Sequence, residues 1–161
     1  MTSTETNPEF RPTLNHVAVS MDPTVLDEKG RAEILDFYGE VFGWTEGDNS
    51  MEQGNPLILY TGPFGQFVYL LPGEPYMVTH HLDHFGFQVE TMEQLQDIVD
   101  RAKKRQATDD RVKIIDVKSR LTNGPDSKFT FTSAYIGFVI PLMVELQHLE
   151  KREPGAPPLP E

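Results

Sequence analysis

A chain of 161 residues is long enough to bury a core of its own without metal or disulfide staples, and a formal charge of −11 excludes broad phosphate-driven nucleic-acid binding. The absence of cysteine excludes disulfides and thiolate metal sites, so any metal would be held by His, carboxylate, hydroxyl, amide or water. The longest apolar run, Ala134 to Val144, is interrupted by Gly137 and Pro141 and is about half of the roughly 20 residues a membrane helix needs.

Residues 1 to 12 are polar and contain two prolines, which predicts a flexible lead-in, and the absence of basic and apolar leader regions predicts a cytoplasmic protein. Leu14 to Ser20 alternates as a strand, with His16, Ala18 and Ser20 on one face and Val17 and Val19 on the other. After a loop rich in Asp and Pro, a helix is predicted over Arg31 to Val41, with Ile34, Leu35, Phe37, Tyr38, Val41 and Phe42 on its apolar stripe and Gly43 at its end. Three strands follow, Trp44 to Asn49, Leu57 to Gly62 and Gln66 to Leu71, separated by polar or Gly/Pro segments. The first unit, residues 13–72, thus reads strand, helix, three strands.

A linker over residues 73–81 leads to a second unit, residues 82–150, with the same order. His84, Gly86 and Gln88 alternate with Phe85, Phe87 and Val89 in its first strand. Thr91 and Gln94 have capping-box spacing, and Leu95, Ile98, Val99 and Ala102 form the apolar face of the helix they start. The basic residues Arg101, Lys103, Lys104 and Arg105 read as the solvated end of that helix, where cations complement the dipole. Strands over Val112 to Arg120, Lys128 to Tyr135 and Leu142 to Leu149 complete the unit, with a Gly124-Pro125-Asp126 turn between the first two. Residues 151–161 are proline-rich and charged, and are predicted to be an extended tail. The fold class is therefore α+β, with two paired βαβββ modules forming a curved mixed sheet around a cleft.

Aligning the units strand by strand sets His16 against His84 and Tyr69 against Glu145, all on the faces away from the helices. A carboxylate between Val144 and Leu146 is costly to bury without a partner. Two imidazoles with one carboxylate suit a divalent first-row metal such as Fe²⁺, Mn²⁺, Ni²⁺ or Zn²⁺, with positions left open for substrate. Tyr60, Phe67, Leu71 and Met143 would give the cleft apolar walls for binding a small molecule, and the Tyr69 hydroxyl could bind or protonate it. His80 or His81 could act as an acid or base at the rim, while alternation turns His148 away from Glu145.

The segments Leu14-Asn15-His16-Val17-Ala18-Val19, Asp36-Phe37-Tyr38 through Phe42-Gly43-Trp44, His84-Phe85-Gly86-Phe87-Gln88-Val89 and Val144-Glu145-Leu146 resemble the vicinal oxygen chelate superfamily. That superfamily includes glyoxalase I, extradiol dioxygenases, methylmalonyl-CoA epimerase, fosfomycin-resistance thiol transferases and bleomycin-binding proteins. The resemblance implies metal ligands at His16, His84 and Glu145, a proton-moving role for Glu145, a homodimer, and metal-dependent lyase, isomerase or dioxygenase chemistry on a small oxygen-bearing substrate. It equally admits a metal-free binder of the bleomycin-resistance kind. Glyoxalase I and the epimerase supply a fourth ligand where this chain has Tyr69, and the Asp-Pro-x-Gly turn common in the family is replaced by Phe138-Val139-Ile140-Pro141.

Overall fold

The computed structural model describes residues 13–48, 56–62, 65–124, 127–153, 155–156 and 159. The expected lead-in over residues 1–12 lies outside them, as do Pro125 and Asp126 of the expected turn and much of the tail. The first module contains β1 (His16–Met21), α1 (Glu28–Phe42), β2 (Thr45–Glu46), β3 (Leu57–Tyr60) and β4 (Phe67–Pro72). The second contains β5 (His84–Gln88), α2 (Met92–Gln106), β6 (Lys113–Asn123), β7 (Lys128–Gly137) and β8 (Met143–Lys151).

Each module forms a four-stranded mixed sheet, ordered β1-β4-β3-β2 and β5-β8-β7-β6. The first strand runs parallel to the last, and the remaining pairs are antiparallel. A parallel pair needs a crossover, and the helix of each module provides it on the face it then covers. Val19, Met21, Leu57, Leu59, Val68 and Leu70 turn to that covered face in the first sheet, and Ala134, Ile136, Val144 and Leu146 do so in the second. All belong to one core that also contains Ile34, Phe37 and Tyr38 of α1 and Leu95, Val99 and Ala102 of α2. Among the described residues the sheets share no ladder, so helices and core join the modules.

Local chemistry explains most element ends. Asp27 accepts a hydrogen bond from the Gly30 amide at 2.7 Å, starting α1 at Glu28, three residues before the expected Arg31. Gly43 ends it in the left-handed conformation at φ 73°, which glycine adopts without a Cβ penalty. Thr91 and Gln94 form both halves of a capping box on α2. The strand expected over Trp44 to Asn49 is found at Thr45–Glu46; Trp44 itself is tucked against Tyr38 and Phe87, and Asn49 lies outside the described residues. β6 runs on to Asn123 through a bulge between Ile115 and Lys118.

The basic end of α2 does more than meet solvent. Arg105 reaches Asp36 and Glu40 of α1, each at 2.7 Å, and Lys103 reaches Asp116 of β6 at 2.8 Å. These partly exposed pairs fix how the helices cross more than they add stability. A buried bond ties the modules more firmly: the Tyr38 hydroxyl, fully buried, donates at 3.0 Å to the carbonyl of Phe138 in the turn before β8. Phe37 stacks on the Phe138 ring at 4.4 Å. The Phe138 carbonyl also accepts from the Ile140 amide, so Tyr38→Phe removes one of two donors and should destabilise the protein by about 0.5–1.5 kcal/mol in denaturant titrations. An unchanged stability would show that the hydroxyl bond adds nothing to the tie between the modules.

Candidate functional site

β8 reads Met-Val-Glu-Leu-Gln from its start, and alternation sends Val144 and Leu146 into the core while Met143, Glu145 and Gln147 share the face away from the helices. Register then collects the neighbours. Gly86 of β5 and Tyr135 of β7 flank Glu145, His84 lies beside Met143, and Gln88 and Ser133 flank Gln147. Gly86 is required here by close approach: a Cβ would stand 3.3 Å from the Gln147 amide nitrogen and 3.5 Å from the Glu145 carboxylate.

Glu145 is only 3% exposed although it lies on the uncovered face. Its Oε1 accepts from the Tyr135 hydroxyl at 2.7 Å, and its Oε2 accepts from the Gln147 amide at 2.5 Å. Its Oε2 also faces His84 Nε2 at 3.2 Å. The other nitrogen of that ring, Nδ1, lies 2.7 Å from the carbonyl of Leu82. A carbonyl only accepts, so Nδ1 carries the proton, and in the neutral ring Nε2 presents a lone pair to a carboxylate oxygen. Two acceptors at that distance need a positive centre between them, a second ring proton or a metal ion.

The pair fits a metal on two counts. A ligating imidazole usually donates its other N–H to a carbonyl or carboxylate, as His84 does to Leu82. Neighbouring ligand atoms on an ion with bonds of about 2.1 Å stand about 3.0 Å apart in octahedral and about 3.4 Å apart in tetrahedral geometry, and the separation here is 3.2 Å.

The other predicted residues lie on the first sheet. His16, Phe67, Tyr69, Tyr60 and Leu71 share its uncovered face by register. The His16 ring stacks on Phe67 at 4.8 Å, and Phe67 meets Tyr69 edge-on at 6.2 Å. Thus His84, Glu145 and Met143 come together on one sheet, and His16, Tyr69, Tyr60, Phe67 and Leu71 on the other. Among the described residues no group of three or more His, Asp or Glu is close enough to hold an ion. A groove of about 350 Å³ between the modules is lined by His16, Gln66 and Phe67 on one side and by Gly86 and Gln88 on the other. His80 bonds through its amide to Asp83, His81 lines a separate cleft with Arg111, and His148 lies 3.4 Å from the Val89 carbonyl, off the Glu145 face.

Tyr135 and Gln147 are site residues that sequence reading passed over. The signal was present: a tight connection between β7 and β8 sets Tyr135 directly opposite Glu145. The Tyr135 hydroxyl is held protonated above its ordinary range, first by its bond to Glu145 and then by burial, while Ser133 and the charge of Arg120 pull the other way.

No protein-family profile and no curated protein sequence matches the chain. Solved structures do. The fosfomycin resistance protein FosX from Listeria monocytogenes is 15% identical, with a TM-score of 0.54 over 85% of this chain and 91% of that one. The chain has the vicinal oxygen chelate fold. Lactoylglutathione lyase from Agrobacterium tumefaciens is 17% identical, with a TM-score of 0.52 over 86% of this chain and 94% of its own. An integron cassette protein from the V. cholerae mobile metagenome is 18% identical, with a TM-score of 0.52 over 86% and 96%. One FosX structure was solved with Mn(II) and 1S,2S-dihydroxypropylphosphonic acid. At such identities the vicinal oxygen chelate likeness establishes the fold and leaves the reaction open.

Because Glu145 keeps Tyr135 protonated, Tyr135 favours the folded state below its unfolded pKa of about 10, and that contribution is lost as pH rises through the higher folded value. Glu145→Gln should bring the Tyr135 titration down toward about 10, read by NMR of the ring carbons. An unchanged titration would show that the hydroxyl does not depend on Glu145.

Proposed function

We propose that this protein is a metal-dependent enzyme of the vicinal oxygen chelate type, acting on a small oxygen-bearing substrate. The observation that carries the reading is His84 Nε2 facing a nearly buried carboxylate oxygen at 3.2 Å while Nδ1 of the same ring is turned to the Leu82 carbonyl. His84 and Glu145 would hold the ion from one chain, and we assign the third donor to His16 of a second copy, since within one chain it is not grouped with them. Both β1 and β5 are outer strands of their sheets, and both His16 and His84 are exposed, which suits completion by another protomer.

A bound divalent ion would polarise paired substrate oxygens and stabilise the charge that develops on them. The chain's own groups supply the rest. Glu145 accepts a proton at Oε1 or Oε2, Gln147 steadies the carboxylate through its amide, and Tyr135 stands as a protonated donor above the same face. Tyr69, Tyr60, Phe67, Leu71 and Met143 would wall the substrate and exclude water. No helix among the described residues is long and apolar enough to cross a membrane, and we place the activity in the cytoplasm.

One observation favours a second reading, a metal-free binder of an aromatic drug or metabolite. His16, Phe67 and Tyr69 form a run of ring contacts on the uncovered face of the first sheet, the kind of surface on which a flat ligand stacks.

Elemental analysis of protein purified without an affinity tag or chelator separates the two. Near-stoichiometric metal, lost in His84→Ala and in Glu145→Gln, is the expected result; iron would direct the search to ring-cleaving oxygenation of catechols. Protein that stays metal-free after incubation with Fe²⁺, Mn²⁺, Ni²⁺ and Zn²⁺ would sink the metalloenzyme and leave the binder.

Completion by a second copy has its own check. Two variants, His16→Ala and the double His84→Ala/Glu145→Gln, should each bind no metal alone, yet regain about one quarter of the sites when unfolded and refolded together, because half of a random dimer mixture pairs one intact half-site. No recovery would place all three donors in one chain.

A further inference from the structure

The segment that delivers β5 to the site is short and heavily tied. His80, His81, Leu82 and Asp83 form a four-residue turn, closed by the Asp83 amide donating to the His80 carbonyl at 2.9 Å. The Asp83 carboxylate reaches back over the same turn and accepts from the His80 amide at 2.8 Å. Inside it, the Leu82 amide donates to Nδ1 of His80 at 3.3 Å. Both ends are then fastened to the chain that leads into β8. The Thr79 hydroxyl donates to the Pro141 carbonyl at 2.5 Å, and the Asp83 carbonyl accepts from the Met143 amide at 2.9 Å. All four residues of the turn are exposed, so hydrogen bonds rather than packing hold its shape.

What the turn presents to the site is one atom, the carbonyl oxygen of Leu82, 2.7 Å from Nδ1 of His84. The two nitrogens of that ring thus face two acceptors, this carbonyl and a Glu145 oxygen 3.2 Å from Nε2. A neutral imidazole has one N–H to give. The carboxylate is the stronger competitor, because hydrogen bonds to ionised groups are roughly twice as strong as those between neutral ones. Left to that competition, the proton would sit on Nε2 and point at Glu145, closing to a metal the one nitrogen placed beside the carboxylate. The contact on the Nδ1 side is nevertheless the shorter of the two. A carbonyl gains on a carboxylate when it is already fixed in line with the ring, so that forming the bond orders nothing further.

We propose that Asp83 is a positioning residue for His84. Its carboxylate clamps the His80–Asp83 turn, the turn aims the Leu82 carbonyl, and the carbonyl holds the ring proton on Nδ1. Nε2 is thereby left to take a metal ion beside Glu145. This bearing on metal rests on the reading of His84 and Glu145 as ligands; the choice of tautomer does not. Asp83 acts through the backbone of Leu82, so an uncharged acceptor of the same shape serves as well.

The test is long-range proton–nitrogen NMR of the His84 ring in metal-free, full-length protein at pH about 9, where an ordinary histidine, with a pKa of about 6.5, is neutral. The expected pattern is a protonated Nδ1 and an unprotonated Nε2 in the native chain and in Asp83→Asn, and the reverse in Asp83→Ala. Asp83 is exposed, and the amide spectrum of each variant verifies folding. Any other state of the native ring, or Nδ1–H kept in Asp83→Ala, would overturn the proposal. So would an asparagine variant that behaves like the alanine one, since charge and not the turn would then decide. Mn²⁺ titration of the same samples, read by paramagnetic broadening, keeps the two readings apart. Asp83→Ala is expected to weaken binding at His84 about tenfold, with Asp83→Asn close to native. A reversed tautomer with no Mn²⁺ bound in any sample removes the metal and retains the hold of Asp83 on the ring. Native-strength Mn²⁺ binding in Asp83→Ala, with Nδ1–H kept, retains the metal and removes Asp83.

Discussion

The site depends on a carboxylate placed where water hardly reaches it. An ionised Glu145 in the middle of β8 costs several kcal/mol to desolvate, and that cost is offset only by groups that meet both of its oxygens. Tyr135 and Gln147 do so from β7 and from β8 itself, and His84 closes the remaining side from β5. Three strands must therefore hold their register to within one residue, because a slip would turn Tyr135 or His84 to the core face and leave Glu145 bare. The core supplies that register. Val144 and Leu146 lock β8 from below, and the Tyr38 and Phe37 contacts with Phe138 anchor the turn that launches it.

Much of this was legible in the residues because two periodicities dominate the chain. The alternation of His84, Gly86 and Gln88 with Phe85 and Phe87 identified β5 and its exposed row, and Thr91 with Gln94 marked the start of α2. The repeat of strand, helix and three strands follows from the same signals. What could not be read was long-range. In β7 the row Phe129, Phe131, Ser133 looks like the core face, yet Thr130, Thr132 and Ala134 are the buried row. The reason is Ile136 and Ala134, which continue the inward phase to the end of the strand, with Thr132 finding a hydroxyl partner in Ser119. Tyr135 was missed because β8 was compared with its counterpart β4 in the other module, when its antiparallel neighbour β7 decides what faces Glu145. The basic end of α2 lies at the solvated last turn as expected, but the partners of Arg105, Asp36 and Glu40, could not be read because they lie on α1, some 65 to 69 residues away.

Sequence also could not say whether His16 and His84 meet. Their likeness by position in the two modules is real, but equivalence in a repeat is a statement about each sheet separately. It does not fix how the sheets approach each other. The fold places one histidine on each uncovered face and joins the modules through helices and core, so His84 and Glu145 meet within one sheet while, among the described residues, His16 is not grouped with them.

Glu145 sets the character of the uncovered face of the second sheet. Its carboxylate is held by the donors Tyr135 and Gln147 and faces His84 Nε2 at 3.2 Å. Keeping it enclosed costs desolvation that pure stability does not require. Under the proposed reading that cost is tolerated because Glu145 and His84 share a positive centre, and the same enclosure that penalises a lone carboxylate strengthens its attraction to that centre.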